Sequence, residues 1–489
     1  MGRNAVLWVG CVVLAGAAAV AYGAVTPSAH YPLEEGPGNT TFADAQGGLS
    51  GTIAGTEGTH FQWDSPGMPA GHQQKLHFNI DGGTSSSATI PDQASLDAGS
   101  AVTVSVWFNR DPVPGGTGWQ GILGKRGTTT NYGLNLNTDS NAFQWYFNDG
   151  SGFRVVNPGW VPSPGVDRLF TGTLEQVGSN VVSKAYLSGI PVAAGAFGET
   201  LSTAQNNVPV TLGASFGSAE RFRGTVDNLK VFNSDALSPP EVRALYEQET
   251  GTRLFSLADV VGGGNGWGTG VNQGIDPTDG SIETSHVQSL TGDGVYHAVG
   301  ALSFVDGVFI PDDTSQLDSA GNTYALPGTN NLTWDHVWNS PVGGSDLNGI
   351  DFNTAGHSMI ALHSNKGITF DLDEVRLANP GWTITEFRSL VGGTSSGTSD
   401  YWVFLDGQLM ASRIRSPANV GYLLEVPIGL NDRFLTLVST DGGDGYGSDQ
   451  VFFGDPYFEM YIPEPSTLLI WAGLAGLGIG AGWRRRKKS

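Results

Sequence analysis

The sequence alternates short apolar runs with turns rich in Gly, Asn, Asp and Ser. The run Val102–Phe108 shows the pattern, because Val alternates with Thr and Ser before two aromatic residues close it. Alternation with a period of two places every second side chain on one face, which is typical of a half-buried strand. Gly supplies 72 of the 489 residues but in no three-residue period, which excludes a collagen triple helix. We therefore predict an all-β chain with two β-sandwich or jelly-roll domains in tandem.

The charge balance excludes one class of partner. The chain has 46 acidic and 24 basic residues, a formal net charge of −22. A negative field repels nucleic acid phosphates and anionic lipid headgroups, so we expect no nucleic-acid binding. Acidic loops also hold Ca²⁺, which takes carboxylate and carbonyl oxygens, and a solubilising surface charge is the alternative explanation. The one cysteine, Cys11, lies in the N-terminal apolar segment. If that segment is removed, no thiol remains for disulfides or catalysis.

The N-terminus, residues 1–23, has the features of a secretory signal peptide. Arg3 supplies the positive charge, and an apolar segment of small residues follows it. The small-x-small rule permits cleavage before Ala24 or before Tyr22. A retained membrane anchor is the alternative. The signal predicts that the protein is exported.

The C-terminal segment, residues 461–489, has three parts. An apolar stretch of about 16 residues, a little short for a bilayer of about 30 Å, precedes a basic cluster at 484–488. The basic cluster should stay in the cytoplasm and leave the upstream chain outside the membrane. The triad in front of the apolar stretch is Pro463, Glu464 and Pro465.

This combination resembles the PEP-CTERM sorting signal. The resemblance implies recognition by an exosortase, a membrane protease that cuts near the triad. It also implies transient anchoring of a C-terminal transmembrane helix in the inner membrane of a Gram-negative-type bacterium. The mature protein would then belong to the cell envelope or extracellular matrix. A plain, unprocessed C-terminal anchor is the alternative.

Residues 28–253 form the first predicted domain. After its closing strand, Ser238, Pro239 and Glu241 provide the N-cap, first-turn proline and capping-box signals of a short helix. The domain resembles the LamG-like (concanavalin A-like) jelly-roll family, which implies a two-sheet sandwich that binds sugars or proteins, sometimes with Ca²⁺. The stretches that carry the resemblance are Ser105–Phe108, Ile122–Gly127, Ala185–Val192 and Phe222–Tyr246.

Glycoside hydrolases of this shape carry Glu-x-Asp-x-x-Glu on one strand, which places two carboxylates about 5 Å apart. The sequence has no such pattern, and Glu220 and Asp227 do not have its spacing. We interpret Asp227 as a structural residue of the closing strand. The chain is therefore not expected to be an enzyme, although fold alone does not decide function.

Residues 254–460 form the second predicted domain, and Asp406-Gly407 marks a hairpin turn within it. From His357 to Phe458 it resembles the NPCBM-type carbohydrate-binding modules, which implies a galactose-binding-like jelly roll. About 100 residues separate this core from the first domain, as an N-terminal extension. The stretches that carry the resemblance are His363–Leu372, Phe387–Gly393, Val403–Ser412 and Leu435–Phe458.

Two sets of residues are candidates for ligand binding in the second domain. Four aspartates in an oxygen-rich segment are candidate Ca²⁺ ligands, although a Gly/Asp turn without metal explains them equally well. They are Asp441, Asp444, Asp449 and Asp455. Sugar binding needs aromatic faces beside polar groups, which core tryptophans do not offer. The candidates are Trp334, Trp338, Trp382 and Trp402.

These observations favour an envelope-associated carbohydrate-binding protein that contacts a polysaccharide or another glycan. A structural or adhesive surface protein that binds other proteins is the second hypothesis. A glycoside hydrolase is the third and least favoured hypothesis, because no span of about 250 residues remains for a catalytic barrel.

Overall fold

The computed structural model describes residues 25–83, 85–112, 118–216, 219–262, 273–327, 331–339, 344–393 and 398–463. The predicted signal peptide, Glu464, Pro465 and the apolar C-terminal stretch lie outside these residues, as does most of the Gly-rich segment after residue 262. Within the described ranges, no helix is both long enough and apolar enough to cross a membrane. The fold is all-β, as predicted, and its strands form multiple sheets.

The first domain is a sandwich of two large sheets. Its strands are β1 (Ala29–Tyr31), β2 (Thr41–Phe42), β3 (Gly51–Ala54), β4 (Phe61–Asp64), β5 (Lys75–Phe78), β6 (Ser87–Ile90), β7 (Ala101–Arg110), β8 (Gln120–Arg126), β9 (Thr130–Asn137), β10 (Ala142–Asn148), β11 (Phe153–Val156), β12 (Arg168–Val177), β13 (Asn180–Leu187), β14 (Ile190–Phe197), β15 (Val210–Leu212), β16 (Ala214–Phe216), β17 (Ala219–Arg221) and β18 (Gly224–Asn233). Short 3₁₀ turns occupy Ala94–Leu96 and Leu201–Ala204.

One sheet runs β14-β13-β12-β7-β18-β5-β4, with β1 also paired to β18. The other runs β11-β10-β9-β8-β15-β6-β3-β2. The inward side chains of both sheets form one core, in which Trp145 is fully buried. The first and last strands of this domain, β1 and β18, pair with each other.

Helix α1 (Pro239–Thr250) follows β18, as the capping signals predicted. The Glu241 carboxylate accepts hydrogen bonds from the Ser238 N–H at 2.8 Å and from the Ser238 hydroxyl at 2.6 Å. The helix ends at Gly251, whose φ of 68° is left-handed and suits glycine.

The second domain begins with β19 (Thr252–Ser256). Its other strands are β20 (Gly274–Ile275), β21 (Ile282–Glu283), β22 (Leu290–Thr291), β23 (His297–Ala298), β24 (Val305–Phe309), β25 (Ser315–Gln316), β26 (Thr323–Tyr324), β27 (Leu332–Thr333), β28 (Val337–Trp338), β29 (Asp346–Leu347), β30 (Ile350–Asp351), β31 (Met359–His363), β32 (Lys366–Asp371), β33 (Thr383–Gly393), β34 (Ser399–Leu405), β35 (Gln408–Ser416), β36 (Val420–Pro427), β37 (Phe434–Thr440) and β38 (Gln450–Tyr461). Helices α2 (Leu257–Gly262) and α3 (Leu372–Ala378) complete it.

One sheet of this domain runs β21-β20-β28-β31-β38-β33-β36, with β19 paired to β38. The facing sheet runs β23-β24-β32-β37-β34-β35. The hairpin turn predicted at Asp406-Gly407 is confirmed, with φ of 46° and 76° at the two positions.

The two domains contact each other over an extended interface. The Arg168 guanidinium of the first domain pairs with both carboxylate oxygens of Glu425, one of them at 2.7 Å. The Tyr246 hydroxyl of α1 donates to Glu459 at 3.1 Å and accepts from Arg388 at 2.8 Å. These buried polar contacts fix the orientation of the first domain against β33 and β38.

Candidate functional site

A pocket in the second domain lies where the ends of β31 and β38 meet the loop between β27 and β28. The empty space in and in front of it, open solvent included, is about 260 Å³. Its lining combines aromatic rings with polar side chains, as a site for a small polar ligand requires. The lining includes Trp334, Asp335, Trp338, His363, Lys366 and Gln450.

Lys366 holds the loop that forms one wall of the pocket. The side chain is fully buried, and its ammonium donates three hydrogen bonds to consecutive carbonyl oxygens. These are the oxygens of Trp334 at 2.6 Å, Asp335 at 2.7 Å and His336 at 2.9 Å. Burial lowers the pKa of Lys366 to about 7, against the opposing effect of Asp335 and Asp276. The loop geometry therefore depends on one buried lysine.

Asp335 is held as a carboxylate beside the pocket. Burial alone would raise its pKa, but the surrounding donors hold the pKa below its usual value. The Val287 N–H donates to Oδ1 at 3.1 Å, and Nδ1 of His286 lies 2.6 Å from Oδ2. The pocket wall therefore carries a fixed negative charge.

His363, at the end of β31, is a neutral imidazole. Burial, followed by the nearby Lys366 ammonium, lowers its pKa to about 4. Nδ1 lies 3.0 Å from the Ser364 carbonyl oxygen, so Nδ1 carries the proton. Nε2 is consequently left as a hydrogen-bond acceptor.

The structure brings together two of the four predicted tryptophans. Trp334 is half-buried at the pocket, and its ring lies 6.3 Å from that of His363. Trp338 is 1 % exposed and packs against His286 with ring centroids 4.1 Å apart. Trp334 therefore offers an accessible aromatic face, whereas Trp338 lies beneath it as the buried part of the lining.

The other two tryptophans lie elsewhere. Trp402 is buried in a small core with Phe309 and Phe404, and its Nε1 donates to the Thr440 hydroxyl at 2.9 Å. Trp382 packs against the main core of the second domain. Of the four candidate tryptophans, Trp334 and Trp338 line the pocket.

The predicted Ca²⁺ ligands do not form one cluster. Asp455 lies in the interface between the domains, 2.8 Å from Nδ1 of His357 and 3.6 Å from Nη1 of Arg243. Asp441, Asp444 and Asp449 are close enough to affect one another electrostatically, and Asp400, which the sequence analysis missed, joins them. Burial and then these neighbours raise the pKa of the fully buried Asp449 to about 7. Asp455 therefore lies apart from the other three predicted Ca²⁺ ligands.

The acidic loop, which carries Asp441, Asp444 and Asp449, adjoins the pocket. The Ser364 N–H donates to the Asp449 carbonyl oxygen at 2.8 Å, and Nδ2 of Asn365 donates to Oδ2 of Asp441 at 3.2 Å. The rings of His363 and Tyr446 are 6.3 Å apart. One short connection after β31 thus links the pocket and the loop, so a cation in the loop would affect the pocket.

A second cluster lies in the first domain and was not predicted from sequence. Glu34, His72 and Asp227 each present one ligand atom, and these atoms lie within 4.8 Å of one another. Burial raises the pKa of Asp227 to about 6. The three residues come from distant parts of the chain, so no local spacing could reveal them.

Comparison with protein families gives one match, which covers about a third of the chain. Residues 81–243 match the concanavalin A-like lectin/glucanases superfamily. The first domain therefore has a concanavalin A-like fold, in agreement with the LamG-like resemblance. No curated protein matches the chain.

Solved structures similar to this chain include carbohydrate-binding and glycoside hydrolase domains. Domain 4 of AbnA, a GH43 extracellular arabinanase from Geobacillus stearothermophilus, solved with arabinotriose, is 18% identical over 46% of this chain and 100% of its own, with a TM-score of 0.34. Trypanosoma rangeli sialidase is 16% identical over 46% of this chain and 34% of its own, with a TM-score of 0.33. The CBM51 from Clostridium perfringens GH95, solved with methyl-galactose, is 18% identical over 36% of this chain and 94% of its own, with a TM-score of 0.19.

The chain spans about a third of the length of the sialidase it matches. All three TM-scores lie below 0.5, so we transfer no ligand or activity from these proteins.

Proposed function

We propose that this protein binds carbohydrate, and that the pocket beside Trp334 is the binding site. The observation that carries the proposal is the half-buried Trp334 ring next to the neutral His363 imidazole. A sugar ring has apolar C–H faces edged by hydroxyl groups, so it needs an aromatic face together with convergent hydrogen-bonding groups. The pocket brings an aromatic face and polar side chains together in one lining.

Each pocket residue has a distinct role in this proposal. Trp334 stacks on the apolar face of the sugar ring. Nε2 of His363 and the Asp335 carboxylate accept hydrogen bonds from hydroxyl groups, and the Gln450 amide can donate or accept. Because His363 is uncharged, the site favours neutral sugars over anionic ones.

The sequence resemblances support the same function. The first domain has a concanavalin A-like fold, and the second resembles NPCBM-type modules. In our proposal the protein is exported, is sorted by an exosortase through Pro463, Glu464 and Pro465, and contacts polysaccharide at the envelope. It acts as a binding protein and not as an enzyme.

The test is a glycan array probed with the full-length protein, with Ca²⁺ and then with a chelator. The best glycan is then titrated calorimetrically with wild type, Trp334→Ala and His363→Gln. We expect Trp334→Ala to weaken binding by about 10-fold or more, because loss of a stacked aromatic costs about 1.4 kcal/mol or more. Trp119→Ala is the matched control, since Trp119 is an exposed tryptophan of the first domain. Equal affinity in Trp334→Ala would remove this pocket as the site.

A structural or adhesive role is the second candidate, and one observation favours it. Strand β35 is an edge strand of its sheet and exposes Leu409, Met410 and Ile414. Exposed apolar edge strands pair readily with other chains. An array without any glycan signal, together with β35-dependent binding to another protein, would favour this role.

A further inference from the structure

The cluster of Glu34, His72 and Asp227 joins three separate parts of the first domain. Glu34 follows the first strand β1, His72 lies in the loop between β4 and β5, and Asp227 belongs to the last strand β18. A β-bulge follows Asp227, where Asn228 has a left-handed φ of 48°. The bulge changes the direction of the strand at the position of the Asp227 side chain.

The distances within the cluster are short. Nδ1 of His72 lies 2.8 Å from Oε1 of Glu34 and 3.7 Å from Oδ1 of Asp227. Ligands of one small divalent cation lie about 2.0–2.2 Å from it, which places them about 3–4 Å from one another. The 3.7 Å separation lies in this range, the 2.8 Å separation is slightly shorter, and all three atoms lie within 4.8 Å of one another, so small side-chain shifts would bring them round a single ion.

Two of the three ligand atoms lack an aligned hydrogen bond. Among the described residues, neither Oδ1 of Asp227 nor Nδ1 of His72 has a hydrogen-bond partner, although both atoms are buried. Nδ1 lies close to Glu34 without hydrogen-bond alignment, and 3.7 Å to Asp227 exceeds hydrogen-bonding distance. Buried polar atoms are normally paired, so the unsatisfied Oδ1 of Asp227 beside the His72 imidazole is a position suited to a cation.

The surroundings fix the cluster but leave one side accessible. The Met68 N–H donates to Oδ2 of Asp227 at 2.8 Å and leaves Oδ1 turned to His72. A Cβ at Gly67 would lie 2.5 Å from Cβ of His72 and 3.0 Å from Oδ2 of Asp227, so glycine is needed for this approach. The Asp227 side chain is 0 % exposed, whereas those of His72 and Glu34 are 21 % and 33 % exposed. A cation can therefore enter from the side of Glu34.

We propose that Glu34, His72 and Asp227 bind one Zn²⁺ ion, which ties the first strand of the domain to the last. One imidazole nitrogen with two carboxylate oxygens suits Zn²⁺, whereas Ca²⁺ takes oxygen ligands alone. A water molecule can complete the tetrahedral set. The tie is structural, and it serves a part of the chain in which no cysteine is available for a disulfide.

The test measures zinc on the full-length protein. After dialysis against a chelator and then Zn²⁺, elemental analysis should give one zinc per chain, and Zn²⁺ should raise the thermal unfolding midpoint. His72→Gln should weaken zinc binding by more than about 100-fold, because even loss of an outer partner of a zinc ligand costs 10–100-fold. Asp227→Asn should do the same.

His297→Gln is the matched control, since His297 forms a similar pair with Asp293, 3.1 Å apart, on the surface of the second domain. It should bind zinc as wild type does. Equal zinc content in His72→Gln and wild type would overturn the proposal. Stabilisation by Ca²⁺ but not by Zn²⁺ would also overturn it, as would an unfolding midpoint that Zn²⁺ does not change.

Discussion

His363 should make the stability of the protein depend on pH in acid. Its folded pKa of about 4 lies below the ordinary value of 6.5. As the pH falls from 6.5 towards 4, the unfolded chain takes up a proton that native His363 does not, so the free energy of unfolding decreases. The full effect is roughly 3 kcal/mol.

We expect His363→Gln to lose less stability than wild type between pH 7.5 and pH 4.5, because glutamine does not titrate. Urea denaturation at the two pH values measures the difference. His297→Gln is the control and should follow wild type. Parallel losses in wild type and His363→Gln would show that His363 titrates normally in the folded protein.

Asp449 predicts a pH effect of opposite sign. Its folded pKa of about 7 is raised by burial and by Asp444, Asp441 and Asp400. The ionised native side chain therefore costs stability in full above pH 7, and that cost declines as the pH falls from 7 towards the ordinary pKa of 3.8. Asp449→Asn should raise the free energy of unfolding at pH 8 in a chelator by on the order of 4 kcal/mol, and by a smaller amount at pH 5.

The same variant tests the predicted Ca²⁺ site. If Ca²⁺ binds Asp441, Asp444 and Asp449, millimolar Ca²⁺ should raise the unfolding midpoint of wild type at pH 8, because the cation offsets the repulsion. Asp449→Asn should show a smaller rise. The same shift in both proteins would place the Ca²⁺ effect elsewhere.

At the scale of elements, Lys366 at the start of β32 determines the shape of the pocket loop. Replacing it with Met leaves three buried carbonyl oxygens without their donor. We expect Lys366→Met to lower the free energy of unfolding by about 3 kcal/mol. Glycan affinity should also fall, because Trp334 loses its support.

Lys184→Met is the matched control for this prediction. Lys184 lies on β13 of the first domain, is half-buried, and has a pKa lowered mainly by burial. It should leave glycan affinity unchanged. If Lys366→Met binds glycan as tightly as wild type, the loop does not need its lysine and the pocket is supported in another way.

The elements themselves were largely predictable. The alternation in Val102–Phe108 lies within β7, and the capping residues Ser238 and Glu241 begin α1 where they predicted it. Both are local signals. Helix α3 was missed because Leu372 follows directly on a strand pattern, although Asp371 caps the helix by accepting from the N–H groups of Asp373 and Glu374.

The sites were predictable only in part. Trp334 and Trp338 lie four residues apart, so a local view could place them together, but their partner His363 comes from another strand. Asp455 was grouped with Asp449 because they are close in sequence. Asp449 directly precedes β38, whereas Asp455 lies within β38, which places it in the domain interface. Glu34, His72 and Asp227 meet only through the folded sheets.

At the scale of the whole molecule, the two domains should unfold as one unit. Strand β19 directly follows α1 and pairs with β38 over five residues, from Thr252 to Ser256. Further contacts cross the interface, including the N–H of Ala194 to the Asn348 carbonyl oxygen at 2.9 Å. Neither domain can separate without exposing buried polar groups.

Arg243 of α1 carries much of this coupling. Its Nη2 donates to the Gly356 carbonyl oxygen at 2.6 Å, its Nη1 lies 3.6 Å from Oδ2 of Asp455, and its guanidinium stacks 5.4 Å from the Tyr457 ring centre. Burial opposes the charge on Asp455, but His357 and then Arg243 hold its pKa below the usual value. The ion pair therefore lies wholly inside the interface, where removal of one partner costs about 3–5 kcal/mol.

We expect wild type to show one calorimetric transition and Arg243→Met to show two, because the variant leaves Asp455 with a weakened counter-charge and loosens the second domain from α1. Arg154→Met is the control, since Arg154 pairs with Glu199 inside the first domain and should leave a single transition. A single transition at an unchanged midpoint in Arg243→Met would show that the strand pairing of β19 with β38 couples the domains by itself. Two transitions already in wild type would show that the interface, although buried and polar, does not link the folding of the two sandwiches.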